Sequence, residues 1–228
     1  MEAKSGSCTL LIFAKAPIPG AVKTRMQPFL DVNQSALLHQ NLVEHCLATV
    51  ANVSEMKLEL CVGSHHEWWE RLQALHSVAI SYQFGEDLGQ RMYNAAEIAM
   101  VADGASGAEN MVQKSVLIIG TDCPYIDGEY LQQARAALTD NDIVLGPADD
   151  GGYVLIGFKS LYHWLFCDIE WGSDKVLTQT RTKLKDHGVC WSEMPFLSDI
   201  DRPEDLRTLR KEMPQLLFGI ESLANESL

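Results

Sequence analysis

The sequence predicts an α/β protein with a mostly parallel sheet. Short apolar runs alternate along the chain with longer segments of helical periodicity, and this order is typical of strands that pair in parallel through helical crossovers. The clearest runs, CTLLIFA (8–14) and SVLIIG (115–120), are uncharged and of the length expected for buried strands. No repeat or linker interrupts the alternation, so we expect a single domain over residues 1–228, with a flexible tail at 219–228.

Six segments are predicted to be strands because they are short, largely apolar and bounded by polar or turn-forming residues. In chain order they are residues 8–14, 58–63, 78–84, 115–120, 142–148 and 152–158. The last two are close enough in sequence to pair with each other.

Six further segments are predicted to be helices. In 35–53, Leu38, Leu42, Cys46 and Val50 recur at helical spacing and form one apolar stripe. The other predicted helices are residues 66–76, 88–102, 128–140, 173–188 and 202–213. The helix at 173–188 ends in a glycine, and a proline stands near the start of the last one. The small polar stretch 103–111 is expected to be a loop.

Composition narrows the range of functions. The formal net charge is −13, which argues against binding to nucleic acid or to an anionic membrane surface. No run approaches the length of a membrane span. The six cysteines include no CxxC pair, so a zinc knuckle or a thioredoxin-type site has no support, and reduced thiols in a cytoplasmic protein are expected. Residues 4–16 faintly resemble a secretory leader, but a buried strand explains the apolar run better.

The loop after the first strand, KAPIPGAVKTR, combines two prolines with a basic cluster. It matches neither a Walker A loop nor GxGxxG. Because proline lacks an N–H group, the side chains of Lys15, Lys23 and Arg25 would have to bind a phosphate, with Gly20 and Thr24 in the same loop. The alternative is a rigid turn with solvated charges.

Carboxylates follow two later strands. Asp122, in GTDCP, could bind a divalent cation, or it could cap the next helix, for which Asp127 is better placed. In GPADDGGY, Asp149 and Asp150 could bind a metal, hold a sugar hydroxyl or act as a base. The same residues would also form an ordinary turn between two strands.

Two other segments carry charged residues near predicted helix starts. In LSDIDRPEDL, one of Asp199 and Asp201 could cap the last helix while the other reaches a metal. In GEDLGQRM, Arg91 and Gly89 lie near a helix start, where a structural role is the simpler interpretation. Because the carboxyl ends of parallel strands form one edge of a sheet, we expect the loops after the strands to converge there.

These motifs together resemble a bacterial family of small glycosyltransferase-A-like proteins, known as an uncharacterised domain or as glycosyltransferases of the arsenosugar-biosynthesis type. The matching segments run from residue 9 to about 206 and are FAKAPIPGAVKTRM, GEDLGQRM, GTDCP, GPADDGGYVLIG, WGSDKVLTQT and DIDRPEDL. The resemblance implies a nucleotide-diphospho-sugar transferase fold, which is a Rossmann-like sheet with a small antiparallel extension.

The resemblance also implies roles for particular residues. Asp122 would be the metal-binding acid in the counterpart of the family's DxD motif, which here contains a single Asp, and Asp201 would help to hold the metal. Asp150 matches the Asp of the DGGY element. Nucleotide phosphates would be bound by the loop that contains Lys15, Gly20, Lys23, Thr24 and Arg25, and Arg91 is assigned to the same ligand.

The function expected from these roles is Mg²⁺- or Mn²⁺-assisted transfer of a sugar from a nucleotide-diphosphate donor, with Asp150 orienting or deprotonating the acceptor. Two alternatives stay open. One is a nucleotidyltransferase that joins a nucleoside triphosphate to a phosphorylated acceptor and releases pyrophosphate. The other is a non-catalytic protein that binds nucleotide sugars. The oligomeric state is left open.

Overall fold

The computed structural model describes residues 7–51, 53–102 and 114–220. The predicted loop 103–111 and residues 221–228 of the predicted tail lie outside this range. Seven strands are found in the described part of the chain: β1 (Cys8–Ala14), β2 (Met56–Val62), β3 (Ala79–Tyr82), β4 (Ser115–Gly120), β5 (Ile143–Pro147), β6 (Tyr153–Phe158) and β7 (Trp191–Glu193). The α-helices of that part are α1 (Val32–Val50), α2 (Trp68–His76), α3 (Leu88–Ala102), α4 (Gly128–Ala137), α5 (Val176–Asp186) and α6 (Asp205–Glu212).

The strands form one sheet in the order β3-β2-β1-β4-β6-β5-β7. All neighbouring pairs are parallel except those of β6, which runs antiparallel to both β4 and β5. The predicted α/β class and mostly parallel sheet are therefore confirmed, and so is the local pairing of 142–148 with 152–158. The three-residue β7 was not predicted, because so short a segment carries no readable periodicity.

Helices pack on both faces of the sheet. Leu10 and Ile12 of β1 join a core with α1, α2 and α4, whereas Leu11 joins a core with α3 and α5. This alternation is the period of two expected for a strand that is buried on both faces. The strands on one side of β1 are β2 and β3, and the chain then crosses to β4 on its other side, so a switch point for ligand binding lies between β1 and β4.

A third apolar cluster fixes the loop after β1. Met26 and Leu30 of that loop are fully buried against Leu206 and Leu209 of α6. This packing brings the basic residues just before Met26 next to the segment that leads into α6. The loop therefore has a defined position although most of it is irregular.

Candidate active site

A cleft of about 300 Å³ opens at the carboxyl ends of β4 and β5. The charged side chains that line it, among the described residues, are Arg25, Asp122, Asp150, Asp199 and Asp201. These residues follow β1, β4, β5 and β7 along the chain. The loops that the sequence marked as chemically unusual therefore meet at one cavity.

Lys23 lies beneath this cleft rather than in it. Its backbone has a left-handed conformation, with φ of 49°, and its side chain is only 3% exposed. The ammonium is 2.5 Å from Oδ1 of Asp122 and donates a hydrogen bond to the carbonyl oxygen of Ile200. One buried cation thus joins the loop after β1, the loop after β4 and the segment before α6.

Asp122 has an environment that favours its ionised form. The side chain is 52% exposed and lines the cleft. Burial alone would raise the pKa of Asp122, but Lys23, with His39 and Lys15, holds the pKa of this carboxyl below its ordinary value. The backbone of Asp122 also accepts a hydrogen bond from the Ile200 N–H at 2.8 Å.

His39 is a site residue that the sequence analysis missed. It is buried on α1, its Nε2 donates to the carbonyl oxygen of Lys15 at 2.9 Å, and its Nδ1 is 3.9 Å from Oδ1 of Asp122. Burial lowers the pKa of His39, and the charge of Asp122 opposes this only in part. The available clue was a polar residue next to the apolar stripe of the predicted helix 35–53, because a polar group buried beside such a stripe needs a polar partner.

Arg25 and Asp201 form an ion pair at the mouth of the cleft. The guanidinium Nη1 donates to Oδ2 of Asp201 at 2.6 Å. Half of the Arg25 side chain is exposed, so the pair itself adds little to stability. It leaves the remaining guanidinium N–H groups available to an anion that enters the cleft.

The DDGG turn holds Asp150 at the edge of the cleft. Oδ1 of Asp150 accepts a hydrogen bond from the Gly152 N–H at 2.8 Å. Asp149 is instead engaged by the Ser198 hydroxyl and does not line the cleft. Gly151 has φ of +86°, and its carbonyl oxygen accepts from the Leu177 N–H at 2.9 Å. The turn is therefore packed against the start of α5 as well as joining two strands.

Replacing Gly151 with alanine should destabilise the protein by about 3 kcal/mol or more, because the new Cβ would combine an unfavourable φ with a backbone clash. That Cβ would lie 2.2 Å from the carbonyl oxygen of Asp174. Gly188→Ala is the matched control, since its φ is +64° but no atom lies within 4 Å, and it should cost only about 1 kcal/mol. Urea unfolding measures both, and equal losses would contradict the proposed packing.

Of the carboxyl groups that line the cleft, Asp199 has the surroundings that most disfavour ionisation. Burial raises the pKa of Asp199 from 3.8 to about 6, with contributions from the neighbouring charges of Asp150, Asp201 and Asp122. Four carboxylates thus share a cavity whose charged lining includes one guanidinium. The negative charge is incompletely neutralised by the protein itself.

This shift predicts a measurable pH dependence. Because the folded carboxyl holds its proton up to a higher pH than the unfolded one, the free energy of unfolding should fall as pH rises from about 4 to about 6. Asp199→Asn should remove this slope in urea unfolding with chelator present. The lowered pKa of His39 makes the free energy of unfolding rise with pH over this range, and the lowered pKa of Asp122 affects it only at lower pH. The pH slope should therefore be compared between wild type and Asp199→Asn. Identical slopes would contradict the assigned environment.

The carboxylates of the cleft fit a divalent cation that is held partly by the protein and partly by a bound phosphate. Mg²⁺ and Mn²⁺ take carboxylate oxygens, and Mg²⁺ is commonly held by one or two carboxylates together with water and substrate phosphates. Among the described residues, no three His, Cys, Asp or Glu side chains are grouped as ligands. Asp122 and Asp201 each use one oxygen to contact a basic side chain, so a cation here would need ligands from a bound phosphate.

The other predicted binding residues lie at different distances from the cleft. Lys15 is exposed and close enough to influence Asp122. Gly20, with φ of +80°, forms the turn of the loop, and Thr24 begins the short helix Thr24–Met26. Arg91 donates through Nε to the carbonyl oxygen of Gly85 at 3.1 Å and is not among the cleft-lining residues. Its assignment to the nucleotide stays a prediction.

Two further expectations concerned helix capping, and the thiol of Cys123 also bears on the chemistry of the cleft. Asp127 caps α4, as predicted, by accepting from the Tyr130 N–H at 2.8 Å. The expectation that Asp199 or Asp201 caps α6 is wrong, because the N-cap residue is Glu204 and its side chain makes no capping hydrogen bond. Asp205 accepts from the Asp201 and Arg202 N–H groups, which precede the helix. Cys123 lines the cleft, but burial raises its pKa to about 12, so the thiol stays protonated and is a poor nucleophile.

The fold and the cleft define a protein of the nucleotide-diphospho-sugar transferase superfamily. A candidate nucleotide-diphospho-sugar transferase from Desulfovibrio desulfuricans G20 is 30% identical, covers 91% of this chain and 89% of its own, and superposes with a TM-score of 0.79. Residues 46–173 match the family described as "Uncharacterized protein conserved in bacteria (DUF2064)". The chain therefore belongs to the DUF2064 family, and the predicted superfamily is confirmed.

Two more distant structures share the fold. CMP:2-keto-3-deoxy-manno-octonic acid synthetase complexed with CTP is 9% identical, with 92% of this chain and 99% of that chain covered and a TM-score of 0.57. Rv0371c from Mycobacterium tuberculosis H37Rv, in complex with manganese, is 15% identical, with 91% and 100% covered and a TM-score of 0.55. No sequence among curated proteins matches the chain. Within the described residues, no helix is both long and apolar enough to cross a bilayer.

Proposed function

We propose that the protein transfers a sugar from a nucleotide-diphosphate-sugar donor to an acceptor hydroxyl with the help of Mg²⁺ or Mn²⁺. The observation that carries the proposal is the convergence of the basic loop after β1 and the carboxylates of three other loops on one cleft. The 30% identical relative supports the same class of donor.

The donor diphosphate would be bound by Arg25 and Lys15. Arg25 is exposed on the cleft and retains N–H groups that a phosphate can accept from. Lys15 adds a second exposed cation near Asp122. Lys23, being buried and already paired, would contribute its charge from below and hold the loop in position.

Asp122 and Asp201 would hold the divalent cation through the oxygens that their basic partners leave available. A bound cation would supply electrostatic stabilisation for the charge that builds on the leaving nucleoside diphosphate. Arg25 would share that charge through the phosphate oxygens. The chain's own contribution is therefore to orient the diphosphate and to neutralise it as the glycosidic bond breaks.

Asp150 would act on the acceptor. Its Oδ1 is held by the Gly152 N–H, which leaves Oδ2 to accept a hydrogen bond from the acceptor hydroxyl. In the transfer, the acceptor oxygen bonds to the anomeric carbon, the bond from that carbon to the diphosphate breaks, and the hydroxyl proton passes to Asp150.

Two measurements test the proposal. Calorimetry with UDP, GDP, CDP, ADP and dTDP, with and without MnCl₂, should identify at least one nucleoside diphosphate whose binding depends on the cation. The matching nucleotide sugar should then release nucleoside diphosphate when an alcohol acceptor is present. Absence of cation-dependent binding across the panel would contradict the proposal.

A second pair of substrates tests the nucleotidyltransferase alternative. Nucleoside triphosphates supplied with sugar phosphates would release pyrophosphate if the chain joined nucleotide to acceptor, a reaction compatible with the fold shared with the CTP complex. Pyrophosphate release without any sugar transfer would overturn the proposed reaction.

A further inference from the structure

One part of the cleft wall is apolar. Leu88, Trp171 and Val176 line it, together with the ring of Tyr153. Leu88 is 43% exposed and lines the cleft, so its side chain is available to a ligand. None of these side chains has a part in the proposed handling of the diphosphate.

Trp171 is held in place by a glycine from another motif. A Cβ built on Gly89, in the first turn of α3, would lie 2.6 Å from Nε1 of Trp171 and 2.7 Å from its Cζ2. The indole therefore rests directly on the α3 backbone, and only glycine leaves room for it. The motifs GEDLGQRM and WGSDKVLTQT, which the proposed reaction leaves without a role, together build this wall.

The wall offers carbon atoms rather than hydrogen-bonding groups. Nε1 of Trp171 is buried and has no hydrogen-bond partner among the described residues, so the part of the indole that lines the cleft is hydrocarbon. The Tyr153 ring meets the indole edge to face at 6.4 Å and 89°. Burial raises the pKa of Tyr153, so its hydroxyl stays neutral. A ligand on this side would bind by stacking and apolar contact.

The charges of the cleft exclude an anion from the same side. Asp150 lies in the turn that packs against the backbone of Asp174, three residues after Trp171, and Asp199 shares the cavity. The guanidinium of Arg25 is already paired with Asp201. A second phosphate or a carboxylate beside Trp171 would meet Asp150 and Asp199, whose charges exceed what this one guanidinium can balance.

From these observations we infer that the Leu88–Trp171–Val176 wall binds the acceptor, and that the acceptor has a flat apolar face and carries no negative charge. Calling the ligand an acceptor rests on the proposed function. The apolar wall and its preference for uncharged ligands are properties of the cleft itself. The inference adds a substrate class to the proposed function, namely hydroxyl compounds without phosphate or carboxylate groups.

Two probes that share one ring test the inference in the absence of nucleotide. The neutral probe is 4-nitrophenyl β-D-glucopyranoside and the anionic probe is 4-nitrophenyl phosphate, each titrated calorimetrically. Arg25 can bind the phosphate probe by itself, so the informative quantity is the part of each affinity that Trp171→Ala removes. We expect this variant to weaken glucoside binding and to leave phosphate binding unchanged. Failure of the glucoside to bind, or an equal loss of phosphate affinity in Trp171→Ala, would overturn the inference.

Variants locate the binding to the wall. Trp171→Ala should weaken glucoside binding about fivefold or more. Gly89→Ala should do the same while keeping the indole, because the new Cβ displaces the ring. Trp164→Phe is the control, since Trp164 stacks on His187 at 3.7 Å and is not among the cleft-lining residues. Wild-type affinity in Trp171→Ala and Gly89→Ala, with circular dichroism unchanged, would overturn the assignment.

The two proposals fail in different ways. If no nucleoside diphosphate binds to the wild-type protein with Mn²⁺, the proposed function fails, whereas the glucoside titration still reports on the wall. If a nucleoside diphosphate binds but the glucoside does not, only the acceptor inference fails.

Discussion

Replacing Asp122 with asparagine is expected to lower kcat/KM for sugar transfer about 100-fold or more, because the change removes the carboxylate closest to the buried Lys23 ammonium and the proposed cation ligand of the loop after β4. Calorimetry should show the same change in the ground state, with the affinity for nucleoside diphosphate losing its dependence on Mn²⁺. Release of nucleoside diphosphate from the nucleotide sugar identified by the calorimetric panel measures the rate.

The chain offers a matched control for this variant. Asp142 also pairs with a lysine, Lys159, at 3.7 Å, and neither residue lines the cleft. Asp142→Asn should leave both the rate and the effect of Mn²⁺ unchanged. If Asp122→Asn kept full cation-dependent affinity, Asp122 would not be a cation ligand, whatever its effect on the rate.

Replacing Lys23 with methionine is expected to lower the free energy of unfolding by about 2 kcal/mol or more and to weaken nucleotide binding as well. Methionine fills a similar volume, but it leaves the Ile200 carbonyl oxygen and Asp122 without the ammonium that joins them. The cost is less than that of breaking a fully buried pair, because half of the Asp122 side chain is exposed. Urea unfolding measures the loss.

The pKa of Asp122 gives a second measure of the same change. Without Lys23 the pKa of this carboxyl should rise, because the largest of the effects that lower it is removed. Carboxyl resonances followed by NMR across the acidic range would report it. Lys159→Met is the control, since its partner Asp142 lies elsewhere. Unchanged stability and an unchanged Asp122 pKa in Lys23→Met would exclude a positioning role for Lys23.

The regular elements were largely predictable because each is encoded by local periodicity. The strands β1 and β4 and the helix α3 begin and end at the predicted residues. Other boundaries moved by a few residues, as for α1, which begins at Val32 because Asp31 forms a capping box with Gln34 ahead of the apolar stripe. Asp31 lies in the loop before the apolar stripe, so its role as a cap is clear only once the first residue of the helix is known.

The sequence predicted which types of residue meet at the cleft, but it did not predict which of these residues pair with each other. A basic loop after β1 and carboxylates after β4 and β5 follow from the topology of parallel sheets. The burial of Lys23, by contrast, depends on α6 packing against Met26 and Leu30, a contact between segments about 180 residues apart. His39 and Trp171 likewise take their places through contacts with residues far away along the chain, Asp122 and Gly89 respectively.

The α/β class, the positions of most strands and helices, and the chemical types of the loops between them were readable from the amino-acid sequence, because these depend on residues close together along the chain. The folded structure was needed to show which charge neutralises which, that Asp150 rather than Asp149 faces the cleft, and that Leu88, Trp171 and Val176 line the same cleft as the carboxylates. The reason is physical: burial, pairing and pKa depend on contacts across the sheet edge, and no local pattern records those contacts.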